Sequence, residues 1–360
     1  MEKCKLGDIC EIVSGSTPKT TIEEYWDGDV KWITPAELNE NVYIINDSVR
    51  KITKLAVEKT GLSSFPEGTV ILSTRAPIGK VAIAGCEMYC NQGFKNLICS
   101  EKIFNKYLYW FLKGNTMFLN SLGRGATFKE ISKAIVSEIE INVPEIEEQH
   151  EIVKILEKVN TIIRFRKQEL SVLDTLVKAR FVEMFGDAVD NPMGWEKKQL
   201  QEIVTDDCTI SYGIVQTGND QEEGVPVFRP VDIVNRIPKL EELKRTTEEI
   251  SNKYKRTILK GHEMLITVRA NIADTCIVGK EFKGCNVGRG IVPIRTQENI
   301  MVLEFLKYLM DSKHLNDDIK SKAKGITLIQ LNMEDLREVE LIVPPIEPVS
   351  YTHLTLPTIA

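Results

Sequence analysis

Between Ile152 and Met184 apolar residues return at alternating intervals of four and three. Ile152, Leu156, Val159, Ile163, Leu170, Leu173, Val177 and Met184 keep this register, and Arg166 and Arg180 fill its two polar positions. The period is that of a coiled-coil seam and predicts a single helix over residues 145–186. Glu145, Glu147 and Glu148 stand at its start, where the helix dipole favours anions, and Gly186 follows the last turn as a stop. At 1.5 Å per residue such a helix extends roughly 60 Å, more than a domain core requires, so its apolar stripe calls for a partner helix. Arg166 and Arg180 either mark register or lay their stems along the seam with their heads in water.

On both sides of this helix the pattern shortens to β-branched runs bounded by glycine and proline. Residues 69–73 and 264–268 are predicted strands, and 107–112 and 305–310 carry a helical period. The two sides also resemble each other at a spacing of roughly 195 to 200 residues, too long for a solenoid unit. Arg75-Ala76-Pro77-Ile78-Gly79 pairs with Arg269-Ala270-Asn271-Ile272-Ala273, and Cys90-Asn91-Gln92-Gly93-Phe94 with Cys285-Asn286-Val287-Gly288-Arg289. Further on, Gly125-Ala126-Thr127 matches Gly325-Ile326-Thr327, and residues 139–144 match 339–344 without a gap. Trp32-Ile33-Thr34-Pro35 has a looser counterpart in Val227-Phe228-Arg229-Pro230. Chance similarity of β-rich segments does not account for collinear matches. The expectation is an α+β chain with duplicated domains at 1–144 and 187–347, joined by the helix at 145–186.

A hydrophobic share of 42% supplies real cores, and no run approaches the length of a membrane span. The first residues lack the basic and apolar regions of a signal peptide, so a cytoplasmic location is expected. The eight cysteines fit a reducing compartment. Cys86, Cys90 and Cys99 lie in an apolar, strand-like stretch without a fourth ligand, and read as buried thiols rather than a metal site. Neither metal nor cofactor is expected. The net charge of −6 argues against a protein that grips nucleic acid by electrostatics alone. Residues 1–144 hold 17 basic and 17 acidic side chains, 145–190 hold 7 and 10, and 191–360 hold 22 and 25, so no segment is a basic tail.

The last residues fit neither copy of the repeat. Codons for residues 349–358 can be written as a transposase-type sequencing-library adaptor, which sets 348–360, His353 included, apart from the native chain. The first copy runs from Pro144 into the long helix, whereas the second stops where its counterpart should begin. A second helix is therefore expected to be missing beyond Glu347.

Taken in order and in duplicate, these features resemble the specificity subunits of type I restriction-modification enzymes. The residues that carry the resemblance are Leu6-Gly7-Asp8-Ile9 with Gly15-Ser16-Thr17-Pro18, residues 74–80, Asn91-Gln92-Gly93-Phe94, and the Val-Pro-x-Ile-Glu-Glu-Gln lead-in at 143–149. The likeness weakens at Glu145, where a second proline is common, and at Val287 and Arg289, which replace Gln92 and Phe94. It implies that each copy is a target recognition domain reading one half of a split site in double-stranded DNA. It also implies that paired helices separate the domains and dock methyltransferase subunits, through which restriction subunits join. The chain itself would be non-catalytic, in keeping with the lack of a Gly-x-x-x-x-Gly-Lys-Ser/Thr loop or an Asn/Asp-Pro-Pro-Tyr/Phe motif.

Bases are read in the major groove by Arg or Lys at guanine and by Asn or Gln at adenine. Candidate contacts are Lys19, Arg75, Lys80, Asn91, Gln92 and Lys95 in the first domain, and Gln216, Arg229, Arg269, Asn271, Asn286 and Arg289 in the second. Lys129, Lys322 and Lys324 suit phosphates, which position a domain without reading sequence. Each could equally be a solvated side chain or a loop brace, Arg75 and Arg269 above all, because both copies have them. A coiled-coil module whose domains bind protein is the alternative, and a chain lacking its second helix would self-associate through the seam.

Overall fold

A computed structural model describes residues 2–39, 42–75, 77–125, 129–233, 237–325 and 329–346. The residues expected to be adaptor-derived, 348–360, and Glu347, beyond which a second helix is expected to be missing, lie outside the described residues. Contacts divide the chain into two units, Met1–Gln168 and Glu169–Ala360.

In the first unit the order of the main sheet is Cys10–Ser14, Phe94–Cys99, Val70–Ser73, Val81–Ala84, Ile44–Ile45. Its central strand, Val70–Ser73, is buried at every position, which explains an unbroken Val-Ile-Leu run instead of an alternating one. The helix Asn105–Gly114 lies against this sheet, with Leu108 and Leu112 fully buried beside Val70, Leu72 and Leu97. A smaller sheet joins Lys51–Ile52, Trp26–Ile33 and Tyr89–Cys90. The chain start is fastened by the antiparallel pair Glu2–Lys5 and Glu140–Val143.

The second unit repeats the plan. Glu263–Thr267 lies between Thr275–Val278 and Ile291–Ile294, Val225–Phe228 between Lys244–Thr246 and Asn286–Val287, and Glu196–Gln199 pairs with Glu340–Val343. The expected α+β duplication is thus present. One difference is steric: Gly79 (φ 89°) closes the turn after the first unit's central strand, whereas Ala273 (φ 64°) takes that place in the second. An alanine there is strained, because its Cβ crowds the following carbonyl.

The long helix runs from Ile146 to Phe185, against the expected 145–186. Its first turns are latched to the first unit by Gln149, which is fully buried. The Gln149 amide donates to the carbonyls of Lys102 and Pro144, both at 2.9 Å, and accepts from the Phe104 backbone N–H at 2.7 Å. One turn on, Val153 is buried, and Glu157 accepts from Tyr43 Oη (2.8 Å) and Lys106 Nζ (2.9 Å). The last turns insert Phe181 and Phe185 among Phe305 and Tyr308 of the second unit.

Between these anchors most apolar positions face solvent. Among the expected seam residues, Val159, Ile163 and Leu170 are about half exposed, and Ile152, Leu156, Leu173, Val177 and Met184 are partly covered. Ile155, Ile162, Phe165, Val172 and Leu176 are more exposed still, so the apolar surface is wider than one seam.

Candidate nucleic-acid interface

In each unit three loops meet beside the central strand. The first follows Ser14, where Gly15 passes so close to the 90–91 backbone that a Cβ would lie 2.1 Å from the Asn91 carbonyl oxygen. Gly213 repeats the approach at 2.0 Å from the Val287 oxygen. The backbone bonds match as well, Ser16 N–H to Cys90 O at 2.9 Å and Ile214 N–H to Val287 O at 2.8 Å.

These bonds correct one sequence alignment. Cys90 pairs with Ile33 in the small sheet and Val287 pairs with Phe228, so Cys90-Asn91-Gln92-Gly93-Phe94 corresponds to Val287-Gly288-Arg289-Gly290-Ile291. The register lies two residues later than the cysteines suggested. Close packing of Gly93 on Pro35 and of Gly290 on Pro230 fixes it, as do the bonds Thr74 N–H to Gly93 O and Val268 N–H to Gly290 O.

The third loop is a narrow hairpin whose base is bonded in both directions, Arg124 with Glu130 and Lys324 with Gln330, at 2.9–3.0 Å. Its tips, 126–128 and 326–328, lie outside the described residues. The strand-end arginines reach these hairpins. Arg75 Nε donates to Glu130 Oε2 at 2.9 Å, and Arg269 Nη2 donates to Gln330 Oε1.

The candidates sort by exposure. Lys19, Gln92, Lys129, Gln216, Asn271, Arg289 and Lys324 are exposed, and Arg75, Lys80, Asn91, Arg229, Arg269 and Lys322 are partly so. Lys95 and Asn286 are buried. Asn286 donates to Ser251 Oγ (3.0 Å) and accepts from Thr257 Oγ1 (2.7 Å) and the Val287 N–H (2.9 Å). Arg229 holds Asp232 with two prongs, at 3.0 and 2.7 Å, and Lys80 Nζ donates to the Pro35 carbonyl. Lys322 pairs with Asp318 at 2.9 Å, and Lys324 lies 3.8 Å from Asp335.

In the first unit the fold brings Gln92 to the Gly15 loop, where Thr17 donates to its amide oxygen, and Arg75 to the hairpin. In the second, Arg289 takes the position of Gln92 beside the Gly213 loop. Arg124 joins these groups, exposed where the second copy has Lys324; the sequence reading named Lys324 and not its counterpart. The clusters combine side chains able to read base edges with cations able to meet phosphates.

A family model described as the type I restriction modification DNA specificity domain matches residues 1–175 and again 192–348. The MjaIX type I restriction enzyme specificity subunit of Methanocaldococcus jannaschii is 32% identical over 371 residues, covering 95% of this chain and 82% of the relative. The EcoBI specificity subunit of Escherichia coli is 24% identical over 316 residues, covering 79% and 66%. Among solved structures, a chain from a study of complex assembly and conformational transition of the type I R-M system aligns with a TM-score of 0.55 at 19% identity, over 99% of this chain and 88% of the other. The type I S subunit from M. genitalium aligns at 0.50 and 14%, over 96% and 86%, and both likenesses bear on fold. The matched residues cover nearly the whole chain in two stretches that coincide with its repeat, and the chain therefore belongs to the type I restriction-modification DNA specificity family.

Proposed function

We propose that this chain is a sequence-specific DNA recognition subunit, that each unit reads one half of a bipartite site, and that methylation and cleavage reside in partner subunits of a cytoplasmic complex. One observation carries the reading. The two units share the strand pairing and backbone bonds that place this loop, yet at the same loop position one presents Asn91-Gln92 and the other Gly288-Arg289. A common frame with different hydrogen-bonding groups is what two different half-sites require. The domains we assign are 1–144, 145–186 and 187–347.

The long helix is the docking element in this reading. Its exposed apolar positions, from Ile155 to Leu176, suit a partner helix from a methyltransferase subunit, from this subunit's own sequence, or from a second copy of the chain. With balanced charge in each half, the chain alone releases few counterions on binding DNA, so the partner supplies part of the affinity. Exchanging residues 197–338 for those of another family member should alter one half-site of the methylated sequence and leave the other intact. Simultaneous change of both half-sites would overturn the assignment of one unit to each half.

A further inference from the structure

Where the strand registers and hairpin bridges of the two units correspond, one charged pair of the first is absent from the second. In the first unit Glu130 lies between two cations, 2.9 Å from Arg75 Nε and 3.8 Å from the Nζ of buried Lys95. Lys95 faces Leu72 across the sheet, and in the second unit Val292 faces Ile266 at the same register. Glu130 corresponds to Gln330 at the base of the hairpin, and Arg75 to Arg269. One copy thus holds Arg, Lys and Glu, the other Arg, Val and Gln. Both sum to a single positive charge.

We propose that Arg75 and Arg269 are the equivalent, sequence-independent phosphate contacts of the two half-sites, and that Lys95–Glu130 and Val292–Gln330 are alternative neutral supports which leave that arginine as the net charge. The proposal rests on the DNA-recognition reading. A group present in both copies cannot tell one half-site from another, so it belongs with the contacts that position the duplex. The supports interchange because a buried lysine needs an anion, whereas a valine leaves the hairpin residue free to be neutral. Burial holds the Lys95 ammonium below the usual lysine range, and Glu130 opposes that shift. Glu130 is accordingly a positioning residue: it cancels Lys95 and holds Arg75 by its Nε edge, leaving a side chain 44% exposed.

The test uses the full chain with its methyltransferase partner and a mixed-sequence duplex of roughly 40 base pairs, long enough for counterion release to be read from salt titration. R75Q and R269Q should each reduce the slope of log K against log salt by about 0.9, the value of one phosphate contact. E130Q should steepen the slope and tighten binding to this duplex, and K95V/E130Q should return both to wild type. Urea unfolding supplies a readout that does not involve DNA, in which E130Q lowers the midpoint and K95V/E130Q recovers it. A slope unaltered by R75Q or R269Q, or a double variant that behaves like E130Q, overturns the proposal while DNA recognition stands. A wild-type complex that fails to bind any duplex removes both.

Discussion

Gln149→Leu isolates the latch between the long helix and the first unit. Leucine is shorter than the buried glutamine but slightly bulkier, so the change removes hydrogen bonds and opens little cavity. Three bonds are lost, to the carbonyls of Lys102 and Pro144 and from the Phe104 N–H. At a net 0.5–1.5 kcal/mol each, with backbone groups left unpaired at a fully buried site, the loss is about 2–4 kcal/mol. Urea unfolding in a W195F background leaves Trp26, Trp32 and Trp110 as reporters, all in the first unit. With an m-value of roughly 2–3 kcal/mol/M the midpoint should fall by about 1 M, and the Phe104 amide should exchange faster with solvent. A fall below about 0.3 M at unchanged m would show that water replaces the glutamine at little cost, and the latch argument would fail.

Phe185→Ala should destabilise the second unit by about 3–5 kcal/mol in urea unfolding with Trp195 retained, read from the fluorescence transition that W195F removes, since the fully buried ring stacks edge-on to Phe305 at 4.8 Å between centroids. In that unit Arg295 is 3.3 Å from the buried Glu263, where the first unit has Ile98 and Thr69. Arg295→Ile alone should cost about 3–5 kcal/mol, because the buried Glu263 keeps its bonds from the Lys260 and Gly261 N–H groups but loses its counter-charge, and E263T/R295I should recover most of it; a double variant as unstable as the single would contradict this. Glu157 is pushed up by burial, but its bonds from Lys106 and Tyr43 prevail and hold it below the usual glutamate range. The stability it contributes is therefore present above pH 4.5 and lost as pH falls through its depressed folded value, and E157Q should flatten that acid limb of the first unit's unfolding curve.

Periodicity and repetition were legible without coordinates because both arise from local chemistry. The seam period placed the long helix within one residue at each end, and the strands at 69–73 and 264–268 formed as Val70–Ser73 and Glu263–Thr267. Duplication followed from collinear matches, and with it the pair of units and the family. What escaped the sequence were relations between distant segments. Matching cysteines set the 90–94 alignment two residues out, since only pairing with Ile33 and Phe228 specifies which residues share a place in the sheet. Asn286 and Lys95 have the chemistry of base contacts, yet each is enclosed by residues far away in the chain, Ser251 and Thr257 for one, Glu130 for the other. Burial of a polar side chain is decided by what packs over it, and a helical period cannot say which turns will be covered. Tertiary structure alone anchored the helix through Gln149 and Phe185 at its ends and left most of the apolar residues between them facing solvent.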